Sequence, residues 1–207
     1  MTNFIPIFPL GVVVYPKEHL NLHIFEPRYI QLIRDCIEQK KQFGIPVVLE
    51  NETHEFGTLM NIIEVSKEYE NGEMDIKTEG DQIFRILETI PSVPDKLYKG
   101  AIVNYPANKT EGRATLMKKV LDTIKALHEM LHIKKDFGKP ENELNSYDVA
   151  HHAGMSLEQE YELLKLLNEL HRQEYLKRHL AKIIPVVAQT EALKERIKLN
   201  GHFRHLI

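Results

Sequence analysis

Proline punctuation at the start of the chain limits what it can fold into. The apolar run Phe4-Ile5-Pro6-Ile7-Phe8-Pro9-Leu10 reads as a strand closed by proline, and residues 12–16 as a bend that ends on Pro16. Leu20-Asn21-Leu22-His23-Ile24 then alternates as a strand does and stops at Phe25-Glu26-Pro27-Arg28-Tyr29. A helix begins there. Pro27 suits the first helical position, where its missing N–H costs nothing. Glu26 sets negative charge at the positive end of the helix dipole. Phe25 and Tyr29 are four apart and are expected to pack across the first turn.

Residues 28–41 continue as an amphipathic helix with Ile30, Ile33 and Ile37 on one side, joined by Tyr29 or Cys36, and Gly44 is expected to end it. Ile45-Pro46-Val47-Val48-Leu49 is a short strand, and 51–55 a polar loop. Strands at 56–69 and 74–78 flank Glu70-Asn71-Gly72-Glu73, whose Asn-Gly predicts a type I′ hairpin turn. Gly80 predicts another turn, before strands at 82–89 and 100–105. Short strands at near-regular spacing with one early helix imply a small, partly closed barrel or bent sheet.

The pattern changes near residue 110. Leu116, Val120, Ile124, Leu127 and Leu131 keep helical spacing within 113–135, followed by a polar Gly/Pro connection over 137–145 and a short helix over 146–153. Ser156 with Gln159 is a capping box opening a helix to about residue 182. Pro185 is expected to kink or split the pattern, which resumes over 186–199 and ends at Asn200-Gly201. The fold class is therefore α+β: a β-domain over 1–110 and a helical bundle over 111–207.

The composition is that of a globular protein, 43% hydrophobic and 28% charged. A net charge of −3 without basic runs argues against a nucleic-acid partner. The apolar runs are too short for a membrane span, and no charged-then-apolar leader opens the chain, so the cytoplasm is the expected location. Cys36 is the single cysteine, which excludes an internal disulfide, and its place in the apolar repeat suits a buried thiol.

Residues 22–29, together with the opening proline-bounded strand through Pro9-Leu10, closely resemble the start of the Lon N-terminal domain family. Phe56-Gly57-Thr58 and Gly80-Asp81-Gln82-Ile83-Phe84-Arg85-Ile86 resemble two of its strands, although Ile83 stands where arginine is usual. Tyr147-Asp148-Val149-Ala150 and 158–164 resemble its helical segment. The resemblance covers about four-fifths of the chain, thinning over 106–145 and beyond Pro185. It implies a PUA-like β-domain with a helical bundle. It also implies a non-catalytic module that binds unfolded or peptide-like protein segments, beside a separate protease or chaperone, with no cofactor. Pro9, Leu10, Pro16, Phe25, Glu26, Pro27, Arg28 and Tyr29 are expected to define the fold. The resemblance singles out no binding residues.

The Lon proteases carry ATPase and Ser-Lys peptidase modules after this domain, and neither is expected here. No G-x-x-x-x-G-K-[ST] phosphate loop occurs, and none of the four serines lies in a nucleophile motif. A stand-alone member is the expectation. A zinc hydrolase is the alternative, because His128-Glu129-Met130-Leu131-His132 fits H-E-x-x-H on a predicted helix. There His128 and His132 would be ligands and Glu129 the base. A third ligand is not selected by spacing among Asp148, His151, His152 and Glu158, and Lys135 stands where the elongated motif needs glycine. The structural alternative is an amphipathic helix with both histidines on its flank. His19, His23, His54, His171, His179, His202 and His205 are scattered, and Glu26 with Arg28 reads as a helix-start charge and ion pair rather than an acid/base couple. A PUA-like RNA binder is the weakest alternative, given the acidic balance.

Overall fold

The computed structural model describes residues 2–202. In chain order the strands are β1 (Thr2–Pro6), β2 (His19–Ile24), β3 (Phe43–Leu49), β4 (Glu52–Glu68), β5 (Met74–Ile90) and β6 (Gly100–Asn104). The helices are α1 (Pro27–Gln39), α2 (Ala114–Met130), α3 (Ser146–Val149), α4 (Leu157–Lys165) and α5 (Glu169–His202). The protein is α+β. Packing divides it at more places than the single boundary expected near residue 110: residues 2–108 join 156–167 in one unit, and 109–155 join 168–202 in the other.

In the first unit the strands form one antiparallel sheet, ordered β1-β6-β5-β4-β3, with β2 on β5. β5 is long enough for β2 to pair with its first part and β6 with its last, while β4 follows its other edge. Register shifts along β4 and β5 bend both strands. The run after β1 then bonds to β3: Phe8 N–H donates to Gly44 O (2.8 Å), Leu10 N–H to Pro46 O (3.2 Å) and Val48 N–H to Leu10 O (2.8 Å). Pro9 falls between two donors, where alternation turns its nitrogen away from β3 and a missing N–H is harmless. The two ends of the sheet meet through this run.

Gly80, expected to turn the chain, lies within β5 instead. Gly57 marks a closer approach: a Cβ there would sit 2.3 Å from Ile45 O and 2.6 Å from Pro46 Cα. The type I′ turn expected at Asn71-Gly72 is absent. Only Gly72 takes positive φ (86°), with Gly72 N–H donating to Tyr69 O and Tyr69 N–H to Glu73 O (both 2.9 Å), a three-residue loop closed by a glycine bulge. Both residues of the β3–β4 turn, Glu50 (φ 49°) and Asn51 (φ 66°), take the left-handed conformation, so that hairpin is tight and 52–55 are strand rather than loop.

α1 covers the core with Tyr29, Leu32, Ile33 and Cys36. Its stripe is rotated from the expected one, leaving Ile37 44% exposed. Lys40, in the left-handed conformation (φ 51°), ends α1, and Gly44 belongs to β3. Tyr29 stacks on Phe8 at 3.8 Å between ring centres, whereas Phe25 is 59% exposed and lies near His23 instead of packing on Tyr29. Pro27 opens α1 as expected, and the Glu26 carboxylate accepts from Arg28 (2.7 Å).

The capping box at α4 is present: Ser156 N–H donates to Gln159 Oε1 (2.9 Å), and Gln159 N–H to Ser156 Oγ (3.4 Å). The single helix expected over 156–182 is two. Leu166 turns extended (ψ 97°), and Asn168 Oδ1 accepts from Leu170 N–H (3.0 Å), capping α5. α4 contributes Tyr161, whose hydroxyl accepts from Phe56 N–H (3.2 Å).

In the second unit α2 packs on α5, burying Leu116, Val120, Leu121, Ile124 and Leu127. Leu131 caps α2 at its surface instead of extending the stripe. α5 continues through Pro185 and past Asn200-Gly201 to His202.

Candidate functional site

β3 pairs with β4 only over 52–60. From there β4 runs on to Glu68 with β5 along one edge and, among the described residues, no strand along the other. A strand edge of this kind presents backbone N–H and C=O groups to whatever lies beside it. What lies beside it is a groove of about 370 Å³, lined by Cys36, Ile37, Lys40, Lys41 and Gln42 from the end of α1 and by residues 61–65 of β4. Ile63 (55% exposed) and Val65 (39%) stand on the strand side and Ile37 on the helix side.

The groove is shaped by local features. α1 stops at Lys40, and Gln42 ties the following turn to the sheet by donating to Asn61 Oδ1 and Asp81 Oδ2 (both 2.8 Å). The β4–β5 pairing shifts register between Ile62 and Glu64 and again between Val65 and Lys67, which twists the free edge. Two ion pairs frame it, Lys77–Glu64 (2.6 Å) and Arg34–Glu68 (3.0 Å). Burial pushes the Cys36 thiol up to about 12, so it lines the groove as an apolar atom and not as a nucleophile. The arrangement offers hydrogen bonding and apolar contact, with the Glu64 carboxylate held by Lys77.

The H-E-x-x-H residues lie in the second unit. His128, on α2, is buried; its Nε2 is 3.1 Å from His152 O, and its ring faces Phe137 and His152. α2 ends at Met130, and His132 lies beyond it with φ 53°. The expected one-helix placement of His128 and His132 is therefore not what forms. Among the described residues no three His, Cys, Asp or Glu side chains come together as a metal site. His23 bonds Asp75 (2.7 Å), His54 packs on Tyr161, and His179 Nε2 lies 3.0 Å from Ala153 O. The side chain of His202 and all of His205 lie outside the described residues.

The same unit holds a buried polar centre that the sequence reading missed. Arg172 donates to Glu169 Oε2 (2.9 Å), Tyr147 Oη (3.0 Å) and Lys109 O (3.2 Å). Glu169 Oε1 also accepts from Ser146 N–H (2.9 Å) and Ser146 Oγ–H (2.8 Å). Gln173 Oε1 accepts from Arg113 N–H (3.0 Å). These groups hold α5, α3 and the start of α2 in register. The sequence signal was Asn168 as a helix cap with Glu169 in the first turn, inside what reads as one long helix.

Comparison with known proteins agrees with this architecture. The Lon N-terminal domain protein from Xanthomonas campestris superimposes with a TM-score of 0.65 over 85% of this chain and 98% of its own, at 23% identity. The N-terminal domain of Mycobacterium avium complex Lon protease gives 0.61 over 86% and 98%, at 14% identity. At such identities these likenesses concern the fold. Among curated proteins, cereblon of Xenopus tropicalis is 32% identical over 91 residues, 41% of this chain and 20% of cereblon's length. Among the described residues no helix is long and apolar enough to cross a membrane. Residues 5–185 match the family model for the ATP-dependent protease La (LON) substrate-binding domain, most of the 207 residues, and the chain belongs to that family.

Proposed function

We propose that this chain is a non-catalytic recognition module that takes extended polypeptide segments on the free edge of β4. Membership of a substrate-binding family supports polypeptide as the ligand class. The observation that carries the reading is the unpaired run of β4 beside exposed Ile63, Val65 and Ile37. An incoming strand gains main-chain hydrogen bonds from the edge, and its side chains meet the groove at every second residue. Unfolded segments have both groups available, whereas in folded proteins most backbone groups are already paired and most large apolar side chains buried, so such a module favours chains needing degradation or refolding. It would act beside a separate protease or chaperone.

A permanently unfolded probe, a reduced and carboxymethylated protein carrying a fluorescent label, tests this by anisotropy. Binding is expected, with Ile63→Glu/Val65→Glu weakening it at least about tenfold, a loss of roughly 1.4 kcal/mol. Both positions are on the surface, so stability should stay within about 0.5 kcal/mol of the parent. Failure to bind the probe, or binding indifferent to these substitutions, would refute the reading.

A further inference from the structure

The charges around the β4 groove are unequally satisfied. Glu64, which lines it, is engaged by Lys77, and Glu68 just beyond is engaged by Arg34. Gln42 spends its amide on Asn61 and Asp81. Lys67 lies 4.2 Å over the Tyr69 ring. Lys40 and Lys41 also line the groove and are exposed, yet among the described residues neither has a carboxylate within ion-pair distance. The helix end accounts for part of this, because cations complement the negative end of the α1 dipole. A dipole end still leaves two ammonium groups without a carboxylate, beside apolar side chains and a free strand edge.

From this we infer that the groove selects segments in which an acidic side chain accompanies apolar strand residues, the carboxylate meeting Lys40 and Lys41 while the backbone adds to β4. The inference rests on the strand-addition reading above and gives it a substrate class. The twist from the two register shifts and the flanking Glu64, Lys67 and Glu68 oppose indiscriminate pairing, which is how natural sheets guard an edge. Selection by charge adds a positive criterion to that guard. A second copy of this chain is a poorer occupant, because the run it would offer carries Lys67 beside Glu64 and Glu68 instead of uncompensated acid.

Two labelled ten-residue peptides of alternating valine and threonine decide the matter, one with a glutamate pair at one end and the other with a lysine pair there. The glutamate peptide should bind about fivefold more tightly at low salt. The preference should shrink at high ionic strength, since exposed pairs are screened. Lys40→Gln/Lys41→Gln should abolish it, and Lys41→Glu should turn it toward the lysine peptide. N-methylation of alternate backbone amides on one edge of the glutamate peptide should remove binding. Equal binding of both peptides, lost with Ile63→Glu, would overturn charge selection and leave strand addition standing. No binding of either would overturn both. Concentration-dependent dimerisation in sedimentation, abolished by Ile63→Glu, would assign the edge to self-association and overturn the proposal as well.

Discussion

Arg172 and Glu169 are buried beside each other, and their mutual attraction outweighs the cost of desolvation only because further hydrogen bonds satisfy both groups. Arg172→Met removes one charge and leaves the other enclosed. Chemical denaturation should show a loss of about 3–5 kcal/mol. Glu169→Leu/Arg172→Met removes both and is expected to cost less than the single change, a non-additivity that a double-mutant cycle would measure. Gly57 fails for a different reason. Its missing Cβ leaves room for the β3 backbone at Ile45 and Pro46, which cannot yield as a flexible side chain would. Gly57→Ala should cost about 1–3 kcal/mol or more, read from the same denaturation curves.

Among the elements, α1 separates two aromatic residues that look equivalent in sequence. Tyr29 faces the core against Phe8, and Phe25 faces water. Tyr29→Ala should therefore destabilise by about 3–5 kcal/mol, as other large aromatic truncations do, while Phe25→Ala stays within about 0.5 kcal/mol. The same contrast explains how the helix was legible. Pro27, Glu26 and the apolar repeat announce its start and its amphipathic nature, but a helical wheel fixes the buried face only to within a neighbour or so. The core took Leu32 together with Tyr29, Ile33 and Cys36 into one cluster with Phe8 and Phe43, and left Ile37 exposed. Helix ends were less legible still. Lys40 stops α1 in a conformation that glycine favours, and Leu166 breaks a helix with no proline or glycine nearby. Turns behaved alike: an Asn-Gly pair formed a glycine-bulge loop, and Glu50-Asn51 took the left-handed pair usually associated with glycine. The partner strands set these turns, since register across the sheet outweighs the preference of one dipeptide.

At the scale of the molecule, stability should depend on His152. Burial, then the nearby positive charges of Lys135, His128 and His151, pull its pKa from 6.5 to about 4, and its Nδ1 has no hydrogen-bond partner among the described residues. The folded protein keeps this ring neutral between those values, while the unfolded chain takes up a proton. Its stabilising share is thus complete above about pH 6.5 and is lost as the pH falls toward 4. Thermal melts across that range should fall more steeply for the parent than for His152→Gln. Parallel curves would show that His152 does not titrate in this window.

From its residues alone, the chain declared an α+β protein, a strand-to-helix junction at Pro27, a hairpin near Gly72 and a capped helix at Ser156. Each rests on local chemistry: a missing N–H, a residue tolerant of positive φ, a side chain returning to a nearby amide. Even the family could be recognised from such motifs, because the residues that build local structure recur in order. Tertiary structure decided what local chemistry leaves open. It placed residues 156–167 with the sheet, took His132 off the α2 helix, enclosed Arg172 with Glu169, and ended β3 short of β4. The candidate groove belongs to this second kind. Ile37 and Ile63 are ordinary apolar residues in sequence, and only the relative lengths of two paired strands and the stopping point of one helix leave them side by side at an open edge.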